Sequence, residues 1–75
     1  MSARLPMFKA RDVIRALKMF GFIEIRQSGS HRFFAHPDGR TTVVPDHRGE
    51  DIGRGLLRAI LREAEIDRED FLNNL

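Results

Sequence analysis

The chain contains no cysteine, so it can form neither a disulfide bond nor a thiolate metal site. It has no apolar run near the roughly 20 residues that a membrane-spanning helix needs. Its N-terminus also lacks an apolar run of signal-peptide length. We therefore expect a soluble, cytoplasmic protein with no membrane partner. Lysine is scarce, because Lys9 and Lys18 are the only lysines among 13 basic residues. The arginines that replace it have planar guanidinium groups that match phosphate well.

The length of 75 residues predicts one small domain, residues 1–75. A chain of this size buries only about 60% of the surface that its unfolded form exposes, so we expect modest stability. Residues 1–48 hold nine basic and four acidic residues, whereas residues 49–75 hold four and seven. These balances of +5 and −3 give the net charge of +2. A polyanion is therefore expected to bind the N-terminal part.

Apolar residues recur at helical spacing from Lys9 to Phe20, and Gly21 is typical of the residue that ends a helix. Three short runs then predict strands, joined by turns at Ser28-Gly29 and at Pro37 to Arg40. The predicted strands cover residues 22–27, 30–36 and 41–44. The short connections favour a three-stranded antiparallel meander.

A second helix is predicted from Glu50 to Ala64, with Glu50 and Asp51 in its first turn, where the helix dipole favours carboxylates. Asp67 is predicted to cap a final short helix, with Asp70 as a weak capping-box partner. The order helix, three-stranded sheet, helix, short helix predicts an α+β fold whose helices cover one sheet face. This is the layout of double-stranded-RNA-binding domains, although a fold does not by itself define a function.

The Gly29-Ser30-His31 triplet places a histidine directly after a turn, at the start of the second predicted strand. An imidazole can take or give a proton near neutral pH without environmental tuning. RNA cleavage needs the 2′-hydroxyl deprotonated and the leaving 5′-oxygen protonated, and each transfer contributes roughly 10²–10⁴ in rate. No set of residues has convincing metal-ligand spacing, so we expect no cofactor. From the residues alone, a histidine that caps a turn is the commoner interpretation.

Several motifs follow one another along the chain: Gly21-Phe22, residues 26–31, Phe34, residues 36–40, residues 44–47, residues 55–61 and Phe71-Leu72. In this order and spacing they resemble the HicA toxin family, which consists of mRNA-cleaving toxins of bacterial and archaeal toxin–antitoxin pairs. The resemblance implies a fold like that of double-stranded-RNA-binding domains. It also implies a metal-independent endoribonuclease with His31 as catalytic residue, and a HicB-type antitoxin that buries His31.

The resemblance has departures and leaves one choice open. Ser28 stands where the family often has lysine, and Glu65 stands where a helix-ending glycine is common. Leu56 and Ala59 replace two family hydroxyl residues. Phe33 shares a strand face with His31 and Phe34 lies opposite. The resemblance favours Phe34 as the core residue, but a bulge could shift the register.

Other polar residues are candidates to support His31. The predicted RNA contacts are Arg26, Ser30, Arg32, Arg40 and His47, of which the arginines flank the strands and His47 matches a family motif. His47 and His36 are further candidates for proton transfer, with His47 ranked second after His31 because it matches the family motif.

Arg54, Arg58 and Arg62 recur every four residues on the second helix, where they either form a solvated face or contact RNA or the antitoxin. Two other functions are alternatives to RNA cleavage for this chain. One is a non-catalytic RNA-binding module of the double-stranded-RNA-binding type, and the other is an adaptor domain with no nucleic acid partner.

Overall fold

A computed structural model describes residues 6–75. Its elements follow in the order β1 (Phe8–Lys9), α1 (Ala10–Met19), β2 (Ile23–Ser28), β3 (His31–Ala35), β4 (Thr41–Pro45), β5 (Asp51–Ile52), α2 (Arg54–Ala64) and α3 (Arg68–Asn73). Strands β2, β3 and β4 form the antiparallel meander, in that order. The predicted α+β class and the helix–sheet–helix order are therefore confirmed.

The helices cover the sheet face that carries Phe34. Phe34, Thr42 and Val44 are buried, whereas Ile23 on the edge strand β2 is exposed. The register of β2 against β3 shifts between Glu24, which faces Phe34, and Arg26, which faces Phe33. This β-bulge inserts Ile25 as an extra residue in β2. Phe34 is thus the core aromatic residue, and Phe33 lies on the open face with His31.

Helix α1 packs its apolar side into the core and ends in a tight turn. Its buried residues are Ala10, Val13, Ile14, Ala16 and Leu17. The N–H of Phe22 donates to the carbonyl of Leu17 at 3.0 Å, and that of Gly21 to Lys18 at 3.0 Å, which is the Schellman pattern. Gly21 has φ +93°, and a Cβ there would lie 2.9 Å from the His36 Nε2 atom. Both the backbone conformation and the close imidazole therefore require glycine.

The second helix starts later than predicted, at Arg54, and the assignment of Glu50 and Asp51 to its first turn is wrong. Asp51 instead belongs to β5, which pairs with β1 so that Phe8 faces Ile52 and Lys9 faces Asp51. The pairing buries Ile52 and brings Lys9 Nζ within 2.7 Å of Asp51 Oδ1. This non-local pairing outweighs the helical pattern of the local sequence.

Asp67 precedes α3 as predicted, but its side chain makes no capping hydrogen bond. The predicted capping box with Asp70 is therefore wrong. Phe71, the buried residue of α3, instead anchors the short helix to the core, and its ring meets that of Phe8 edge-on at 5.5 Å. Packing rather than capping holds this helix in place.

Glu65 ends α2 in the left-handed conformation, with φ 55° and ψ 43°. The N–H of the next residue, Ile66, donates to the carbonyl of Leu61 at 2.9 Å, so Glu65 occupies the position that favours glycine in a Schellman motif. A side chain with a Cβ pays about 1 kcal/mol or more in this region. Glu65, which stands where a helix-ending glycine is common, is therefore a site of backbone strain.

We expect Glu65→Gly to stabilise the protein by about 1 kcal/mol and to raise Tm by roughly 4–8 °C. Thermal unfolding followed by circular dichroism measures the change. Glu65→Ala is the matched control, because alanine keeps the Cβ and hence the strain. An equal rise in Tm for both variants would mean that the lost carboxylate, not the backbone, is responsible.

Candidate functional site

The structure brings His31 and His47 together at one end of the sheet. His31 is the first residue of β3 and lies opposite Pro45, the last residue of β4, so that His47 follows two residues later in the chain. Their ring centroids are 6.3 Å apart and their planes meet at 78°. Both residues are exposed. We call these two residues the histidine pair.

The loops that carry the two histidines are joined through the backbone. Gly29 has φ +59°, which turns the chain between β2 and β3. The N–H of Asp46 donates to the carbonyl of Ser30 at 2.6 Å, so the residues directly before His31 and His47 are hydrogen-bonded to each other. Ser30 thus contributes to the site through its backbone, and its predicted contact with RNA stays a prediction.

Arg32 joins three segments through its guanidinium group. Its Nε and Nη2 atoms donate to the two carboxylate oxygens of Glu24 at 3.0 and 2.8 Å, and its Nη1 atom donates to Asp46 Oδ2 at 2.9 Å. We call these three residues the Arg32 clamp. Hydrogen bonds from Arg32 hold the pKa of Glu24 below its usual value, and the two carboxylates raise the pKa of Arg32.

The clamp positions the histidine pair because of its place in the chain. Arg32 directly follows His31, and Asp46 directly precedes His47. A planar guanidinium held by two carboxylates has little rotational freedom. Successive residues of a strand point to opposite faces, so Arg32 lies on the side of the sheet away from His31. The predicted contact of Arg32 with RNA stays a prediction, and in the structure its guanidinium binds two carboxylates.

Arg40 lies at the opposite end of β3 and β4 from the histidine pair. Its Nε atom donates to Asp38 at 2.8 Å, its Nη1 atom donates to the carbonyl of Ala64, and its guanidinium lies 5.1 Å from the centroid of the Phe22 ring. The hydrogen bond from Arg40 lowers the pKa of Asp38. Arg40 therefore fastens the β3–β4 turn to the end of α2.

His36 lies at the same remote end. Its Nδ1 atom accepts a hydrogen bond from the N–H of Asp38 at 3.1 Å, and its ring meets the Phe22 ring at 5.1 Å. His31 is the first residue of β3 and His36 follows its last residue, so five residue steps, or roughly 16 Å, lie between them. The structure thus gives His36 a place in the packing of the turn, away from the histidine pair.

Arg26 and Phe33 share the open sheet face with His31. The Arg26 guanidinium carbon lies 4.1 Å from the centroid of the Phe33 ring, and Arg26 is exposed. The β-bulge at Ile25 produces this pairing by setting Arg26 opposite Phe33. A cation stacked on an aromatic ring is a surface that suits a nucleotide base and its phosphate.

The predicted contacts of Arg54 and Arg58 stay predictions. Both residues are exposed on α2, which packs against β4. Two basic residues that sequence reasoning did not single out lie beside His47 instead. A cleft of about 250 Å³ is lined by Lys9, Arg11, His47 and Arg48, with other residues. Arg48 follows His47 in the sequence, but only the tertiary structure brings Arg11 of α1 to the same cleft.

Two further findings concern residues 6–75. Within this range, no three histidine, aspartate or glutamate side chains are arranged to hold a metal ion. In the same part of the chain, no helix has the length and apolar character needed to cross a membrane.

Together, the fold and the site define a small α+β domain with an exposed pair of imidazole rings at one end of its sheet. The chain belongs to the HicA toxin family, because the family model described as HicA toxin of bacterial toxin–antitoxin matches residues 10–66. The matched range includes the whole meander, α2 and the histidine pair. Among curated proteins, no sequence matches the chain.

The Arg32 clamp makes stability depend on pH through Glu24. The pKa of Glu24 is lower in the folded state than in the unfolded chain, so its contribution is present at neutral pH and is lost as pH falls through the folded value. We expect Glu24→Gln to lower the urea midpoint at pH 7 and to have a much smaller effect at about pH 3. Glu50→Gln, which removes an exposed loop carboxylate, is the control. A deficit that is equally large at both pH values would contradict the assignment.

Proposed function

We propose that this member of the HicA family is a metal-independent endoribonuclease that cleaves mRNA, with His31 as a general acid or base. The observation that carries the proposal is the exposed histidine pair, with ring centroids 6.3 Å apart. Membership of a toxin family supports it, because RNA cleavage is the activity that the family resemblance implies. We propose RNA as the substrate because it carries its own nucleophile, the 2′-hydroxyl group.

The chemistry needs two proton transfers at one phosphodiester. A neutral imidazole takes the proton from the 2′-hydroxyl, whose oxygen forms a bond to phosphorus. The bond from phosphorus to the 5′-oxygen breaks, and an imidazolium gives this oxygen a proton. The products are a 2′,3′-cyclic phosphate and a 5′-hydroxyl. We infer that His31 and His47 share these two transfers, because their rings lie side by side and both reach solvent.

Charge that develops on the phosphate oxygens needs a cation nearby. Arg26 is the predicted contact best placed for this role, since it lies exposed on the face that carries His31. Its guanidinium stacks on Phe33, so the cation is held near the open face while its edge remains free to donate hydrogen bonds. A base of the bound RNA can stack on the outer face of the Arg26 guanidinium.

We propose that a HicB-type antitoxin inhibits the protein by covering the histidine pair. Two observations support a partner on this side of the sheet. Among residues 6–75 no helix packs over the open face, and Ile23 and Ile25 of β2 are each 60% exposed. Exposed apolar residues beside a polar site are typical of a protein interface. A partner that covers His31 would exclude RNA from both imidazole rings at once.

We expect His31→Ala to reduce RNA cleavage by roughly 10²–10⁴, and His47→Ala to reduce it by a similar factor, because each removes one proton transfer. Cleavage of a fluorogenic RNA by each purified variant gives the cleavage rates, and thermal unfolding shows that the variants fold. His36→Gln is the matched control, since it changes a histidine at the other end of β3. Wild-type cleavage by folded His31→Ala would overturn the assignment.

The mechanism predicts a dependence on the 2′-hydroxyl but not on a metal ion. We expect no cleavage of a substrate that carries 2′-deoxy sugars throughout, and unchanged cleavage of RNA when a chelator is present. Loss of cleavage with chelator would contradict the metal-free mechanism. Tight, salt-sensitive binding that leaves RNA intact would instead favour the non-catalytic RNA-binding module.

A further inference from the structure

Arg11 lies at the junction of two clefts on the surface. The first is the cleft beside His47, which Arg48 also lines. The second, of about 520 Å³, runs along α1 and is lined by Arg11, Ile14, Arg15, Lys18, Met19 and Arg32. Because Arg11 borders both, the two clefts are neighbours on one surface path that runs from His47 along α1. We call this path the α1 groove.

Three cations along the α1 groove have no carboxylate within ion-pair distance among residues 6–75, although the charge of Lys18 adds to the hydrogen bond from Arg32 in lowering the pKa of Glu24. Arg11, Lys18 and Arg48 form no ion pair with any residue from 6 to 75. Other cations nearby are already paired with carboxylates. Lys9 pairs with Asp51 at 2.7 Å, and Arg15 lies 3.4 Å from Asp12.

The carboxylates near the groove do not neutralise all of its cations. Glu24 and Asp46 both bind Arg32, and Glu50 lines the cleft beside His47. The excess cations therefore stand at both ends of the groove, with Arg48 and Arg11 near His47 and Lys18 at the far end of α1.

The spacing of the helix sets the length of this surface. Arg11, Arg15 and Lys18 are separated by four and three residues, so they lie on one side of α1. A rise of about 1.5 Å per residue puts Lys18 roughly 10 Å along the helix from Arg11. An extended strand of RNA that leaves the histidine pair thus passes more than one cation. Met19, which is 63% exposed, adds an apolar surface for a base at the far end.

We propose that the α1 groove binds the backbone of single-stranded RNA on one side of the bond that is cleaved. Arg11 and Arg48 hold phosphates next to the histidine pair, and Lys18 holds a phosphate farther along the strand. The inference rests on the proposed function, since it takes the histidine pair as the cleavage site. RNA fits better than an acidic protein surface because the groove begins at His47, one of the two residues proposed to cleave RNA.

The test measures binding separately from cleavage. In a His31→Ala background a labelled single-stranded RNA is cut at least about a hundredfold more slowly, so fluorescence anisotropy can give Kd at several salt concentrations before the RNA is cleaved. We expect Arg11→Ala, Lys18→Ala and Arg48→Ala each to weaken binding about threefold to tenfold and to reduce the salt slope by about one. Arg68→Ala, which removes an exposed cation from α3, is the matched control and is expected to change Kd by less than about twofold.

A second measurement uses the catalytically intact protein. Lys18→Ala is expected to raise KM for a long RNA while kcat stays unchanged, because Lys18 lies away from the reacting phosphate. For a dinucleotide substrate, which is too short to reach Lys18, the same variant is expected to match the wild type. Thermal unfolding of each variant shows that the fold is intact.

The outcomes separate this inference from the proposed function. If wild-type protein cleaves RNA but the α1 variants bind RNA as tightly as the control, the groove assignment is wrong. It is also wrong if Arg68→Ala weakens RNA binding as much as the groove variants do. If no RNA is cleaved but binding still depends on Arg11, Lys18 and Arg48, the groove stands and cleavage does not.

Discussion

The Arg32 clamp is the interaction on which the site depends. Through two carboxylates, one guanidinium joins β2, β3 and the loop after β4. His31 and His47 are the direct chain neighbours of clamp residues, and they are otherwise 16 positions apart. A lone surface ion pair adds little stability, but this network is partly buried and has paired donors and acceptors. Because Arg32 adjoins His31 and Asp46 adjoins His47, the main effect of this network is to position the two imidazole rings.

The two faces of the sheet have different roles. Phe34, Thr42 and Val44 face the helices and are buried, so this face supplies the core. The opposite face carries His31 and the stacked pair of Arg26 and Phe33, and no helix in the described part of the chain covers it. Because the side chains of a strand alternate between faces, one short strand provides both core and site residues. A domain of this size can thus expose polar site residues on one sheet face while the other face keeps its buried core.

Basic residues of this chain divide into two groups. Arg32 and Arg40 bind carboxylates or a backbone carbonyl and hold segments together. Arg11, Arg48 and Lys18 have no ion-pair partner in the described range and line the α1 groove. Total charge does not separate these groups, since both consist of the same residue types. The arrangement of nearby carboxylates decides which cations remain available to a polyanion.

Local patterns determined most of the fold. Helical spacing, alternation in the strands and the turn residues were enough for the α+β class, and the ordered motifs were enough for the family. Tertiary structure decided what depends on contacts distant in sequence. The pairing of Lys9 with Asp51 replaced the first turn predicted for α2, because strand pairing has no local signature. Likewise, packing decides that His47 lies beside His31 and which arginines bind carboxylates. Only folding brings β3, the loop after β4 and α1 close together.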